Sequence, residues 1–172
     1  FVLKNLCSNT GSPKFLKFSF NSQKQHNINL HDLRTIYYFF QLNKILKYNK
    51  SNNIKIVEIG PGFGLFVTKI KKKYPKTKFI LFDLPELNAV QTYYLMSEFP
   101  NAKFLLIEDF LQRGNKIFSE NFDFIILPGE QIKNLPTNTI NYVINIASFM
   151  EMKKTTIKFY IKNIERILCE NG

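Results

Sequence analysis

The residues whose types and spacing could do chemistry begin with three closely spaced glycines. The run Glu58-Ile59-Gly60-Pro61-Gly62-Phe63-Gly64 lies between a strand-like and a helix-like segment. Glycine lets a backbone turn sharply and approach a ligand closely, and the first turn of a helix carries unpaired N–H groups. Ligands of open α/β sheets bind at the carboxyl ends of the strands, where this loop is expected. The motif therefore predicts a nucleotide-type cofactor site.

An acid at the end of the next strand-like segment supports that site. Asp83 follows Gly60 by 23 positions. An acid about 20 residues beyond a glycine loop accepts hydrogen bonds from ribose hydroxyls. Asp83 therefore favours an adenosine-containing cofactor without deciding which one. It could instead serve only as an acid at the start of the helix that Pro85 opens.

The spacing of the glycines separates two cofactor classes. The dinucleotide fingerprint G-x-G-x-x-G would need its third glycine at position 65, which is Leu65. The third glycine is Gly64, so the motif reads E-x-G-x-G-x-G and resembles the first motif of S-adenosylmethionine-dependent methyltransferases. This resemblance implies that the loop wraps the amino-acid end of the cofactor. It also implies that Glu58 orders the loop or contacts the cofactor's ammonium group, and it disfavours a nicotinamide oxidoreductase.

Strand-like and helix-like segments alternate from residue 54 onward, which predicts an α/β fold with a Rossmann-like, doubly wound parallel sheet. The predicted strands are 54–59, 78–83, 122–128 and 140–146, and the predicted helices are 63–74, 85–99 and 155–168. Residues 101–121 are ambiguous, because 102–107 could be a core strand or part of a side insertion. We prefer the insertion, which leaves 124–127 as the third core strand and 142–146 as the fourth.

The part of the chain before this alternation has a different pattern. Residues 1–29 are polar and only weakly periodic, whereas apolar residues recur at helical spacing from Leu30 to about Leu46. A polar linker follows at 48–53. We therefore predict an N-terminal helical segment, residues 1–50. We expect this segment to fold as a lid over the pocket for the molecule that accepts the methyl group. Residues 51–172 are predicted to form part of a cofactor-binding domain.

A narrower resemblance rests on four further runs. Asp83-Leu84-Pro85-Glu86, Gln91-Thr92-Tyr93-Tyr94-Leu95, the stretch from Asn145 to Met152 and the stretch from Asn29 to Tyr38 resemble the sugar O-methyltransferases of the class I superfamily. The resemblance covers roughly residues 10–172. It implies S-adenosyl-L-methionine as the cofactor and a sugar hydroxyl, on a surface glycan or nucleotide sugar, as the methyl acceptor. It adds Leu84 and Asn145 to a cofactor site otherwise made of Glu58, Gly60, Gly62, Gly64 and Asp83.

The resemblance also implies that the fold is incomplete. The family's sheet has seven strands, and this chain offers about four before it stops at Gly172. We therefore expect a truncated methyltransferase domain without its C-terminal strands, inactive by itself. An unpaired fourth strand would present an apolar edge that favours aggregation.

Transfer to a hydroxyl calls for a general base, because a neutral hydroxyl is a weak nucleophile. The candidates are His31, Asp109 and Glu151. Glu151 follows the fourth predicted strand, at the edge where ligands bind, and His31 lies in the upstream helical segment. Each has a plain structural alternative: Glu151 as an acid at a helix entry, and His31 as a surface or capping residue.

A net charge of +11 raises the possibility of a nucleic-acid partner. Only three of the 24 basic residues are arginine, the side chain best suited to bidentate contacts with phosphate and guanine. The N/D-P-P-Y/F turn of enzymes that methylate base amino groups is absent after Asn145. We predict that the densest basic run, residues 69–73, is a solvated surface. A nucleic-acid partner is therefore disfavoured, but RNA or small-molecule methylation and a non-catalytic cofactor-binding fragment remain alternatives.

The composition also bears on membrane spans, on the state of the cysteines and on metal sites. No apolar run reaches the 18 or more residues of a membrane span. The two cysteines, Cys7 and Cys169, lie far apart without metal-ligand spacing. We interpret both as reduced packing thiols, and we expect a cytoplasmic protein without a metal site.

Overall fold

A computed structural model describes residues 16–20, 24–28, 30–47 and 53–170 of the 172. Its strands are β1 (Leu16–Phe20), β2 (Lys24–Ile28), β3 (Lys55–Ile59), β4 (Lys78–Asp83), β5 (Phe104–Leu105), β6 (Phe124–Pro128) and β7 (Tyr142–Asn145). Its helices are α1 (Leu30–Leu46), α2 (Leu65–Lys73), α3 (Pro85–Glu98), α4 (Ile107–Arg113) and α5 (Lys154–Ile167). Short 3₁₀ turns span Gly114–Ser119, Gly129–Asn134 and Ser148–Glu151.

Five strands form a parallel sheet in the order β5-β6-β4-β3-β7. The predicted α/β fold is therefore confirmed. The order also confirms the prediction that residues 101–121 are a side insertion, because β6 lies directly beside β4 as the third core strand. The inserted residues form the two-residue edge strand β5, helix α4 and a 3₁₀ turn.

The hairpin of β1 and β2 was not predicted. The two strands are antiparallel, with Leu16 opposite Ile28. In β1 the apolar residues Leu16, Phe18 and Phe20 alternate with polar ones, a period-two pattern too short to stand out in a polar segment. The polar β2 has no such alternation.

The central strands β3, β4 and β6 are buried on both faces because they are almost wholly apolar, whereas the edge strand β7 is half-buried. Side chains alternate between the faces, so Ile56 and Glu58 of β3 lie on one side and Val57 and Ile59 on the other. Ile56 packs in an apolar cluster with residues of α2 and α3, whereas Val57 and Ile59 pack in a second cluster with Tyr160 and Ile167 of α5. Glu58 therefore lies on the side covered by α2 and α3.

Helix α1 begins and ends where the sequence predicts. Its buried residues Phe39, Leu42 and Leu46 belong to the same apolar cluster as Ile56 of the sheet. Tyr74, just after α2, donates its hydroxyl to Asn43 at 2.7 Å. The C-terminal half of α1 thus packs against the sheet domain, and the boundary near residue 50 and the lid role stay predictions.

The basic run at the end of α2 is less exposed than expected. The side chains of Lys69 and Lys71 are buried, being 1% and 5% exposed. The Lys71 ammonium donates to the Thr77 carbonyl at 2.6 Å and to Asp123 Oδ1 at 2.7 Å. The prediction of a solvated basic surface is therefore wrong for these two lysines, because every residue of α2 from 65 to 71 is buried.

Two further expectations from the sequence concern membrane-spanning helices and the two cysteines. Within the described ranges, no helix is both long and apolar enough to cross a membrane. Cys169 is a free, half-buried thiol whose Sγ lies 3.3 Å from the Asn138 carbonyl oxygen. Cys7 lies outside the described residues.

Candidate cofactor site

The loop between β3 and α2 adopts a backbone that suits glycine. Gly60, Gly62 and Gly64 have φ angles of +69°, +60° and +92°. Residues with a Cβ atom are disfavoured in this left-handed region. The Gly60 N–H still donates to the Phe82 carbonyl of β4 at 2.8 Å, so the turn begins directly at the end of the sheet.

The three glycines differ in what surrounds them. A Cβ atom on Gly60 would lie 2.3 Å from Cβ and Oγ of Ser148, and one on Gly64 would lie 3.2 Å from the Leu95 side chain. A Cβ atom on Gly62 would meet no atom within 4 Å. The ends of the loop are therefore tightly packed, whereas its middle has open space beside it, as a ligand-binding loop requires.

Asp83 is joined directly to this loop. Its Oδ2 accepts the Gly62 N–H at 2.9 Å, and its Oδ1 accepts the Leu84 N–H at 2.8 Å. A carboxylate has about four acceptor positions, so Asp83 retains capacity for a ligand's hydroxyl groups. Burial raises the pKa of Asp83, and the two N–H bonds oppose that rise. The neighbouring Leu84 side chain is exposed.

Glu58 lies beneath the loop and is only 2% exposed. In the described part of the chain, its Oε2 atom has no hydrogen-bond partner. Burial, and then the nearby charge of Asp83, raises the pKa of Glu58 to about 8. The Glu58 carboxyl group is therefore mostly protonated at neutral pH, and a cation bound nearby would favour its ionised form.

Hydrogen bonds from Asn145 and Ser148 connect the end of β7 to the start of the glycine loop. Asn145 Nδ2 donates to the Ile59 carbonyl at 2.9 Å and to Ser148 Oγ, and the Ser148 hydroxyl donates to the same carbonyl at 3.0 Å. Asn145 Oδ1 accepts the Phe149 N–H at 3.3 Å. The Asn145 amide is thus engaged on both sides in holding the chain beside the predicted cofactor site.

Sequence reasoning missed two residues of this network, Ser148 and Gln91. Gln91 Nε2 donates to the Gly62 carbonyl at 2.9 Å, and its side chain is fully buried. The available signal was a polar residue one turn from Tyr94 and Leu95 on the buried face of α3. Ser148 lies in a family-like run, but its contact with the loop could not be predicted locally, since it depends on the parallel pairing of β7 with β3.

The three candidates for the general base have different surroundings. Glu151 ends the 3₁₀ turn after β7 and is exposed at the carboxyl edge of the sheet. Asp109 accepts the Leu106 N–H at 2.8 Å and pairs with Arg113, so its carboxylate is engaged in holding α4. His31 lies in α1, and its side chain is outside the described residues.

Comparisons with known proteins bear on the family and on the fold. Residues 13–112 match the family model described as an O-methyltransferase domain. A tRNA (guanine-N(7)-)-methyltransferase of Exiguobacterium sibiricum is 35% identical over 81 residues, which cover 40% of the chain and 38% of that relative. The matched part of the chain thus spans only 38% of the length of this curated relative.

Solved structures share the fold at low sequence identity. A protein of Methanococcus maripaludis, assigned as an S-adenosyl-L-methionine-dependent methyltransferase, aligns with a TM-score of 0.50 and 14% identity, over 78% of the chain and 52% of its own length. Coclaurine N-methyltransferase, bound to N-methylheliamine and S-adenosylhomocysteine, aligns with a TM-score of 0.52 and 13% identity, over 99% of the chain and 42% of its own length. The chain therefore shares the fold of each of these proteins over about half of that protein's length.

Proposed function

Because the chain belongs to the O-methyltransferase domain family, we propose that it forms the cofactor-binding part of an S-adenosyl-L-methionine-dependent enzyme that methylates a sugar hydroxyl. The observation that carries the proposal is the direct bond between the glycine loop and the acid after β4. The Gly62 N–H donates to Asp83 Oδ2 at 2.9 Å. This contact holds the glycine loop beside the acid that we predict binds the ribose, an arrangement that suits an adenosine cofactor with an amino-acid tail.

The residues present fit that cofactor. The open side of Gly62 admits the amino-acid end, and the remaining acceptor positions of Asp83 suit the ribose hydroxyls. The exposed Leu84 offers an apolar surface for the adenine. Glu58 Oε2 supplies a buried acceptor for the ammonium group. When bound, S-adenosyl-L-methionine supplies a methyl group on a positively charged sulfur, which leaves as a neutral thioether.

The chain's own residues align the reactants and handle the proton. The acceptor oxygen bonds to the methyl carbon as the carbon–sulfur bond breaks, and the electron pair of that bond stays on sulfur. The hydroxyl proton goes to a general base, for which Glu151 is the first candidate because it is exposed in the turn that follows β7. His31 is the second candidate. Alignment of the two reactants supplies most of the rate enhancement.

A sugar acceptor is supported by the position of the narrowest family-like run. Ser148-Phe149-Met150-Glu151-Met152 follows β7 at the carboxyl edge. Ser148 packs against Gly60 of the cofactor loop, and Met150 and Glu151 are exposed next to it. The run that resembles the sugar O-methyltransferases is therefore adjacent to the predicted methyl donor, where an acceptor must lie.

RNA is the second candidate acceptor, favoured by the tRNA methyltransferase from E. sibiricum and by the net charge of +11. The basic side chains weigh against it. Arg113 pairs with Asp109 and Glu120, and Arg166 donates to backbone carbonyls after β6. Two of the three arginines are therefore engaged within the chain, which leaves fewer for phosphate.

The test incubates the full-length protein with S-adenosyl-L-methionine labelled on its methyl group and with panels of sugar nucleotides, glycans, RNA and phenols. We expect label in a carbohydrate. Label only in RNA or a phenol would refute the sugar acceptor but not the cofactor. Glu151→Gln should lower the turnover rate about 10²-fold or more. The control Glu165→Gln changes an exposed acid of α5 and should leave the rate unchanged.

A further inference from the structure

The peptide groups on either side of Gly62 are each held by a side chain from a different element. The Gly62 N–H donates to Asp83 at the end of β4, and the Gly62 carbonyl accepts from Gln91 in α3. These two bonds flank the φ and ψ torsions of Gly62, so together they fix its backbone at φ +60°. From these contacts we infer that Gln91 positions the glycine loop for the amino-acid end of the methyl donor, an inference that rests on the proposed function.

Sterics alone do not hold this part of the loop. Gly60 lies against Ser148 and Gly64 lies against Leu95, but a Cβ atom on Gly62 would meet nothing within 4 Å. A glycine in open space has broad conformational freedom. The hydrogen bonds that Gly62 makes with Asp83 and Gln91 therefore supply the restraint that packing supplies for the other two glycines.

Packing also does not account for a glutamine at position 91. The side chain is fully buried on the face of α3 that includes Tyr94 and Leu95. Its Oε1 atom has no hydrogen-bond partner among the described residues. A buried unpaired amide oxygen destabilises the fold, and an apolar side chain of the same size would avoid that penalty. The bond to Gly62 gives the amide a role that an apolar residue cannot fill.

This arrangement couples the two ends of the cofactor site. Asp83, the predicted ribose acid, and Gln91 act on one glycine, so releasing the Gly62 carbonyl loosens the part of the loop that faces the amino-acid tail. Ligands that have this tail should therefore depend on Gln91, and ligands that lack it should depend on Gln91 much less. A residue that only stabilises the fold would affect both kinds of ligand alike.

The experiment compares Gln91→Met with Asn163→Met in the full-length protein. Asn163 is a buried amide in α5 that donates to the Phe159 carbonyl, on the opposite face of the sheet. Calorimetry measures binding of S-adenosylhomocysteine and of 5′-methylthioadenosine, which lacks the amino-acid tail. In Gln91→Met we expect about tenfold weaker binding of S-adenosylhomocysteine, about 1.4 kcal/mol, and less than threefold weaker binding of 5′-methylthioadenosine. Asn163→Met should bind both ligands as the wild type does.

A second variant protects the test against simple misfolding. Gln91→Glu keeps the size of the side chain but can donate to the Gly62 carbonyl only when protonated. Its affinity for S-adenosylhomocysteine, relative to wild type, should therefore recover as the pH falls. Unchanged binding in Gln91→Met, equal losses for both ligands, or no recovery in Gln91→Glu would each overturn the inference.

Hydrogen exchange separates this inference from the proposed function. In the unliganded protein, Gln91→Met should increase exchange about tenfold in peptides spanning residues 60–64, and Asn163→Met should not. If the wild type binds neither ligand, the proposed function fails, and the exchange of these peptides still decides whether Gln91 holds the loop. Unchanged exchange there would overturn the inference by itself.

Discussion

Replacing Glu58 by Gln should make the protein more stable above neutral pH. The pKa of Glu58 is about 8 in the folded chain and 4.5 in the reference state, raised first by burial and then by the charge of Asp83. The folded state therefore binds the proton more tightly than the unfolded state between these two values. Its free energy of unfolding is highest at the low end of that range and declines as the pH rises towards 8.

The size of this effect follows from the difference of about 3.5 pKa units. At about 1.4 kcal/mol per unit, the upper bound is about 5 kcal/mol. Water that reaches the carboxylate as the loop relaxes lowers this value, so we expect a measured loss of about 2–4 kcal/mol between pH 5 and pH 8.5. Glutamine has nearly the same shape and no proton to lose, so the variant should lack this component.

Urea denaturation of the unliganded wild type and Glu58→Gln at half-unit steps from pH 5 to pH 8.5 measures the effect. The two unfolding free energies should lie within about 1 kcal/mol at pH 5 and should diverge as the pH rises, with the variant the more stable. Other titrating groups act on both proteins, so the difference isolates Glu58. Parallel pH dependences, or a wild type whose stability is flat over this range, would refute the assignment of Glu58 as a buried, largely protonated acid.

Two further substitutions test how the loop and the lysine run are packed. Gly60→Ala should cost about 2–4 kcal/mol, from its left-handed φ and from the contact with Ser148. Adding Ser148→Gly should recover part of that loss in urea denaturation, whereas strictly additive effects would contradict the contact. Lys71→Met should cost about 1–3 kcal/mol, because Asp123 Oδ1 and the buried Thr77 carbonyl both lose the Lys71 donor. The control Lys76→Met changes an exposed lysine between α2 and β4 and should cost less than about 1 kcal/mol in thermal melts, and equal losses would argue against a buried role for Lys71.

Local patterns were sufficient to predict the elements that carry the site. β4 begins and ends where the apolar run from Lys78 to Asp83 predicts, and α3 begins at Pro85. The loop and Asp83 were identified from residue type and spacing, and the structure brings them within hydrogen-bond distance. These features are local because strand length, the helix start and the glycine turn each depend on a few consecutive residues.

Contacts between distant segments could not be read from the sequence. Ser148 reaches the loop because β7 pairs with β3, and Gln91 reaches Gly62 because α3 packs beside the loop. The burial of Lys71 depends on Asp123, 52 positions further along the chain. In each case a polar side chain has a partner that only the folded chain brings near it, so residue type and local spacing could not identify the contact.

Calorimetry of S-adenosylhomocysteine binding to the full-length protein tests the central claim most directly, with Asp83→Asn beside the wild type. In the variant, an amide nitrogen must face the N–H of Gly62 or Leu84, and the ribose hydroxyls lose a charged acceptor. We predict that the wild type binds and that Asp83→Asn binds at least tenfold more weakly. The control Asp123→Asn, at the opposite end of the strands, should stay within about twofold of the wild type. Equal affinity of the wild type and Asp83→Asn, or no binding by the wild type, would contradict the account.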